Sequence, residues 1–238
     1  MVRLRAFRAT EDAESSKKFL EGHTRVLSSV GVTKVTSNKD EWMSRDSVFV
    51  LVVEDMEGSE VLGGARINVY DGINPLPIEE ATGYMDEKVS PYIKEFGKQG
   101  TGEICGLWNS RKVAGMGFGS VFLTRAAVSL TTQIGLNSLF ALCAPYTVST
   151  AARFGYHIVK DMGNEGTFYY PKLDLLATFM LLANTNTLEG ARKLEQDKIA
   201  DMRADPKLVV TERTKIAPVD IHYDLQLKIN NLEEFHIY

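Results

Sequence analysis

Glu103 opens a mostly apolar run, Glu103–Trp108 (EICGLW), and three alternating glycines, Gly115, Gly117 and Gly119, follow it. Between Ile104 and Lys160 there is no Asp or Glu, whereas Arg111, Lys112, Arg125, Arg153 and Lys160 all fall there. An acid carried on an apolar strand has its pKa raised toward the range useful to a general base. Glycines leading into a helix let the backbone approach a bulky ligand and take positive φ angles. The first N–H groups of that helix are unpaired and its dipole favours negative charge. A wholly basic interval in a chain of net charge −4 suits a polyanion. The combined chemistry is proton removal beside a phosphate-bearing ligand.

Other phosphate sites fit less well. No Gly-Lys-Ser/Thr follows the glycines, which excludes a P-loop. No acid lies about twenty positions further on to hold a ribose, as a dinucleotide fold requires. A glycine-lined turn without a ligand stays open as the plain alternative. Arg66 is a candidate for a substrate carboxylate, because its planar fork matches that group; a solvent-facing arginine is the alternative. Arg66 and Asn68 share one face of their strand, opposite Ala65, Ile67 and Val69. His23 lies on a helical apolar stripe and reads as a core-edge histidine. Cys105 and Cys143 read as buried small hydrophobes, with no disulfide framework and no metal-ligand spacing.

The elements that position these residues follow from periodicity. Glu103–Trp108 is a strand, Ser120–Ile134 a helix with Phe118, Val121, Phe122, Ala126, Leu130 and Ile134 on one side, and Leu139–Ala144 a second strand. Val2–Arg8 is an imperfect first strand, and Thr10 caps a helix that Gly31 ends. Ser47–Glu54 is a buried strand, and Val61–Tyr70 pairs with it, with a bulge at Gly63 and Gly64. Thr33–Ser47 is polar, lacks a period and carries Trp42. Asp71–Gly100 is a long connection, in which Ser90-Pro91 starts a short helix. Pro145 and Tyr146 open a short helix. Pro171–Ala183 reads as a helix, by a small margin over a strand pair, with Leu173, Leu176 and Met180 on its apolar side. Thr187–Arg203 reads as an amphipathic helix with Leu188, Ala191, Leu194, Ile199 and Met202 inward. Lys207–Val210 is a brief strand, and Asp220–Ile229 alternates cleanly.

The glycine stretch resembles motif A of the GNAT superfamily of acyl-CoA N-acyltransferases, Gln/Arg-x-x-Gly-x-Gly/Ala at a strand-to-helix turn. Its two glycines correspond to Gly117 and Gly119, with Gly115 as a common extra one. The Gln/Arg position falls on Ala114, and Glu103, eleven positions ahead of it, matches the family's catalytic glutamate. The runs GEICGLWN and RFGYHIV…GTFYYP resemble the branch holding N-acyl amino acid synthases and autoinducer synthases. That branch reads Glu-x-Ser-Arg where this chain has Glu103, Ile104, Cys105 and Gly106.

The resemblance implies an α/β (α+β) fold: a mixed, mostly antiparallel central sheet with flanking helices and a splayed strand pair. Residues 1–183 would form the acyltransferase domain, and 184–238 a C-terminal helix-and-strand extension packed on it. It implies that an acyl group passes from a coenzyme A thioester, acetyl-CoA or a longer acyl-CoA, or from acyl carrier protein, to a small-molecule primary amine. Glu103 would be the base. The backbone of Gly115, Met116, Gly117, Phe118, Gly119 and Ser120 would hold the pyrophosphate. Leu107 and Trp108 would flank the pantetheine arm, with Arg111 and Lys112 near its mouth. The family's acid tyrosine falls on Ala151, so Tyr146 or Tyr156 would protonate the leaving thiolate. Trp42 and Arg66 would shape the acceptor side. A coenzyme A-binding protein of the same fold without catalysis is the alternative.

Bulk properties narrow the remainder. The chain has 238 residues, 44% hydrophobic and 24% charged, as globular domains do. Its net charge argues against wholesale nucleic-acid binding. The most apolar stretch, Leu173–Ala183, is too short to span a membrane. Arg3, Arg5 and Arg8 have no apolar run behind them, so the expected location is cytoplasmic. No metal is expected, and a homodimer through the C-terminal tail is allowed for.

Overall fold

The computed structural model describes residues 1–32, 39–172 and 174–229. Residues 33–38 of the polar segment and Leu173 lie outside these.

One sheet runs through the molecule. β1 (Val2–Arg8), β2 (Val48–Glu54), β3 (Val61–Val69) and β4 (Thr101–Asn109) are antiparallel neighbours. β5 (Ser138–Cys143) lies parallel to β4, and β8 (Leu176–Leu182) antiparallel to β5. β8 also takes the short β6 (His157–Ile158) and β7 (Thr167–Tyr169). At the other edge β10 (Val219–Asp224) runs parallel to β1, and β9 (Val209–Glu212) closes antiparallel on β10. The sheet is therefore mixed and mostly antiparallel.

Both faces are covered, which is why residues 48–53 of β2 form a continuous apolar run; every residue of the strand is buried, the closing Glu54 paired with Arg3 and Arg5. On one face lie α1 (Ala13–Ser29), α2 (Pro77–Thr82) and α3 (Val89–Gly97). Phe19 packs there on Val50 and Trp108, and Ile78 and Ile93 on Phe140 and Phe179. On the other face lie α4 (Leu123–Ile134) and α6 (Lys193–Ala204), whose Ala126, Leu130 and Ile199 join Leu51, Ile67, Ile104 and Leu139. α5 (Pro145–Ala152) follows β5, with proline in its first turn.

The feature that makes a site is the β4–β5 pair. Its parallel register covers Thr101↔Ser138, Gly102↔Leu139 and Glu103↔Phe140, and then pairing stops. β4 continues for six residues past Glu103, but its register against β3 slips between Gly64 and Arg66, with Gly106 at φ 60°. A bulge bends its strand and increases local twist. Here it carries β4 away from β5 and opens the sheet.

Several boundaries differ from expectation. The α1 cap is Asp12, whose side chain accepts from Ser15 N–H, while Thr10 sits in a preceding 3-10 turn and bonds Asp46 instead. α3 begins at Val89, so Pro91 falls inside its first turn and Ser90 is not the cap. Residues 171–183 contain a strand, β8, and not a helix. Its far end, Thr178–Leu182, is buried on both faces between β5 on one edge and β6 and β7 on the other. Tertiary burial of that kind overrides helix propensity. The later helix starts at Lys193, because Leu188 and Gly190 take left-handed φ angles ahead of it. The delayed start shifts the inward stripe: Ile199 and Met202 are buried, Leu194 is 58% exposed, and Glu195 points inward. The helix after the glycines opens with a π-turn, Phe118–Phe122, before α4 proper.

Candidate functional site

A cleft of about 880 Å³ fills the gap between β4 and β5. Ile104, Cys105, Gly106 and Leu107 form its β4 wall, and Ala141, Leu142, Cys143 and Ala144 its β5 wall. It reaches Gly119, Ser120 and Thr124 on the α4 face and the end of α1 on the other.

Glu103 stands at the point where the strands part. It is 2% exposed, and its Oε2 accepts a 2.7 Å hydrogen bond from Ile78 N–H at the start of α2. Burial pushes its carboxyl up to about 8; the Ile78 bond and the charge of Arg66 pull the other way without cancelling it. Near neutrality such a group holds its proton but releases it readily. Across the cleft, Tyr156 is buried and its hydroxyl has no hydrogen-bond partner among the described residues. Burial raises the phenol well above its ordinary range, with Cys143 and Glu103 adding to the shift, so it is a donor and not an anion. Tyr146 also lines the cleft but is 84% exposed. The two thiols are no nucleophiles: burial pushes Cys105 up to about 12 and Cys143 up to about 11.

The glycine turn has the local geometry of an anion cradle. Gly115 and Gly117 take φ of 77° and 86°, angles that favour glycine. Ser120, Val121 and Phe122 N–H all turn back to Gly117 O and Met116 N–H bonds Val113 O, so the donors a ligand would find at the turn are those of Gly117, Phe118 and Gly119. A Cβ on Gly119 would stand 2.0 Å from Asn109 Oδ1, so a side chain there requires Asn109 to move. Met116 and Ser120 are half-buried along the turn, and Phe118 packs inward on Phe122. Arg111 and Lys112 are exposed beside it, and Lys112 Nζ lies 2.6 Å from Glu60. These residues fit a pyrophosphate: backbone donors at glycines that carry no side chain of their own, and cations at the rim.

The other candidates fall elsewhere. Trp108 does not line the cleft; the bulge at Gly106–Leu107 resets the strand's alternation and turns the ring onto Phe19 and Gly22. Leu107 does line it. Arg66 is not solvent-facing: it is 1% exposed, its guanidinium lies 4.2 Å from the Trp42 ring centroid, and Nη2 is 3.6 Å from Cys105 Sγ. Arg66 and Trp42 border a separate small hollow with Lys39, Arg45 and Asn68, on the far side of Pro77 from the cleft. Trp42 is buried against Phe19 in a 3-10 turn, Glu41–Ser44.

Sequence reasoning missed three participants. Ile78 N–H was legible in principle, since Pro77 followed by Glu79 and Glu80 is a helix-start pattern. Asn109 carried no signal. His23 is the buried core-edge histidine that its stripe indicates, 4% exposed; its place on the cleft wall, with Nδ1 unpartnered among the described residues, carried no signal. Among the described residues no group of three or more His, Cys, Asp or Glu is placed to hold a metal, and no helix is long and apolar enough to cross a membrane.

No protein-family model matches the chain, and no curated protein matches it. Solved structures do. FeeM, an N-acyl amino acid synthase from uncultured soil microbes, superposes with a TM-score of 0.60 at 11% identity, over 83% of this chain and 98% of its own. BjaI, a CoA-dependent acyl-homoserine lactone synthase, gives 0.55 at 12% identity, over 99% of this chain and 97% of its own. MesI, a second CoA-dependent acyl-homoserine lactone synthase, gives 0.50 at 10% identity, over 86% and 95%. At that level of identity what is shared is the fold: the chain has the GNAT fold.

Proposed function

We propose that the protein is an N-acyltransferase that moves an acyl group from a coenzyme A or acyl-carrier-protein thioester to a primary amine. The observation that carries this reading is Glu103: a buried carboxyl with its pKa near neutrality, at the apex of a cleft that runs to an anion-binding turn. Solved structures of this fold include enzymes named as CoA-dependent acyl-homoserine lactone synthases, which supports the reading.

The chain's residues suit direct attack. The turn at Gly115–Ser120, with Arg111 and Lys112 at its rim, anchors the donor's phosphates. The thioester then lies between the parted strands, its carbonyl beside the Gly106 bulge, where backbone N–H groups of β4 no longer face a partner strand. The amine nitrogen attacks the carbonyl carbon, and its proton passes to Glu103, directly or through water. The C–S bond breaks as the carbonyl re-forms, and Tyr156 supplies the proton that the thiolate takes up. Positioning of the two reactants in one cleft accounts for much of such an acceleration. Donors fixed in advance at the bulge stabilise the oxyanion.

Native mass spectrometry of the full chain with acyl-CoAs of graded length, followed by thiol release on adding an amine, tests the reading. Binding with amine-dependent release of free coenzyme A is the expected result. Binding without release under any amine supports the non-catalytic alternative, and absence of binding ends both.

A further inference from the structure

Gly106 carries the bulge that turns β4 away from β5. A Cβ there would stand in ordinary contact with three groups: Phe19 Cζ at 3.5 Å, and Arg66 Nε and His23 Cε1 at 3.7 Å each. The glycine leaves that place unfilled, with an imidazole and a guanidinium around it. The two are not placed alike. His23 lines the cleft, whereas Arg66 is buried behind its wall, on β3, and does not line it.

The imidazole is uncharged and has bonding capacity to spare. Burial, with the charge of Arg66 adding to it, pushes the His23 pKa down to about 4, so the ring is neutral at physiological pH. A neutral imidazole still carries one N–H donor. Cε1 sits between the two ring nitrogens, so the edge that meets Gly106 is the polar edge. Nδ1 is buried with no hydrogen-bond partner among the described residues. Buried polar groups are almost always bonded, and an exception on a cleft wall suits a partner from outside the chain.

The field at this place is positive. The charge of Arg66 pulls the Glu103 carboxyl and the Cys105 thiol downward against their burial, so it is felt on the cleft wall. Negative charge developing beside Gly106 is favoured there, and a new positive charge is not. In attack on a thioester, the group that gains negative charge is the carbonyl oxygen.

We infer that His23 is a further catalytic residue: its imidazole N–H donates to the thioester carbonyl oxygen beside Gly106 and holds the oxyanion that forms on attack, with Arg66 behind it as a fixed positive charge. The inference rests on the acyltransferase reading. It holds whether an acyl chain or the acceptor fills the aliphatic end of the cleft. The amine's proton still goes to Glu103, the oxyanion collapses to expel the thiolate, and His23 keeps its own proton throughout.

The test uses the full chain and acyl-CoA labelled with carbon-13 at the thioester carbonyl, with no amine present. A donor on the oxygen polarises the C=O, so the bound carbonyl resonance is expected downfield of its position in free acyl-CoA. His23→Phe should abolish most of that displacement, and His23→Gln, whose amide also donates, should keep part of it. In turnover, His23→Phe should lower kcat about a hundredfold with the acyl-CoA KM within about threefold, and His23→Gln should recover part of the loss. Since His23→Phe risks misfolding beside Phe19, nitrogen NMR of labelled histidine in the unmutated protein gives a second readout. Acyl-CoA should move the His23 ring resonances, and free coenzyme A, which has no acyl carbonyl, should not. A bound carbonyl at its free position, or one displaced equally in the parent and in His23→Phe, overturns the inference and leaves acyl transfer standing. So does a His23 resonance that saturating acyl-CoA does not move. A protein that binds acyl-CoA yet acylates no amine overturns the acyltransferase reading itself, and this inference with it.

Discussion

Glu103 combines two properties that rarely coexist in a structural acid: full burial and a single backbone donor, Ile78 N–H. The carboxylate is the form that accepts a proton, and its fraction grows as pH approaches about 8. With Glu103 as base, kcat/KM is expected to rise about tenfold per unit below that pH and to level above it. Glu103→Gln should lower kcat by two to four orders of magnitude and leave acyl-CoA affinity within about threefold, as removal of a general base does. An unchanged kcat would remove Glu103 from the chemistry. The same pKa makes a stability statement. From about 4.5 to about 8 the folded chain keeps a proton that the unfolded chain has released, so this group's contribution falls as pH rises through that window. Glu103→Gln should therefore gain denaturation midpoint over the parent as pH goes from 5 to 8, read by urea titration at each pH. Glu103 was legible in sequence as the acid at the head of an apolar strand. The place of His23 on the cleft wall was not, because helical spacing puts core and cleft-lining residues on one stripe. Only the parting of β4 and β5 separates the two.

At the scale of elements, the sequence located the strands and the glycine turn well and misjudged where two later elements begin. Leu176–Leu182 has the composition of either element, and pairing on both edges made it a strand. In α6 the apolar stripe alone pointed to a start near Thr187 and placed Leu194 inside. The structure puts Glu195 there, fully buried, because Arg125 Nε and Nη2 meet it at 2.9 and 2.8 Å and Arg153 Nη2 at 2.5 Å. Arg125 Nη1 also reaches Glu212 at 2.8 Å. The cluster therefore ties α4, α6, β9 and the end of α5 together, and α5 forms part of the cleft wall. Removing one member of a buried ion pair leaves the other uncompensated, at about 3–5 kcal/mol. Glu195→Ala is expected to destabilise the fold by that amount in urea denaturation. Arg125→Met with Glu195→Leu should recover only part of the loss, because it removes the buried central pair but leaves Glu212 with Lys198 alone at 3.4 Å and Arg153 without Glu195. A Glu195→Ala variant within 1 kcal/mol of the parent would show the cluster to be solvated in solution.

On the scale of the whole molecule, the sheet consists of two blocks, β9-β10-β1-β2-β3-β4 and β5-β8 with β6 and β7, joined by three residue pairs. That seam was foreshadowed in sequence by the family resemblance and by nothing in the periodicity, since strand separation leaves no trace in hydrophobic pattern. The parallel addition of β10 to β1 was equally hidden: the alternation of Ile221, Tyr223 and Leu225 marks a strand but not its neighbour. The seam has a dynamic consequence. Past Glu103 and Phe140, the edges of β4 and β5 that face each other make no ladder bonds across the gap. Amides along such edges exchange through small openings, not through global unfolding. A ligand laid between the strands supplies partners to both edges, and by mass action it also stabilises the whole fold, by about 2.7 kcal/mol at one hundred times its Kd. Hydrogen exchange read by mass spectrometry should then show coenzyme A slowing peptides that cover 104–107 and 141–144 many-fold. Peptides from β1 and β2, paired on both sides already, should slow only by the global increment. Uniform slowing across all strands would place coenzyme A outside the seam. Slowing confined to 115–122 would mean that the turn grips phosphate while the arm never enters the gap.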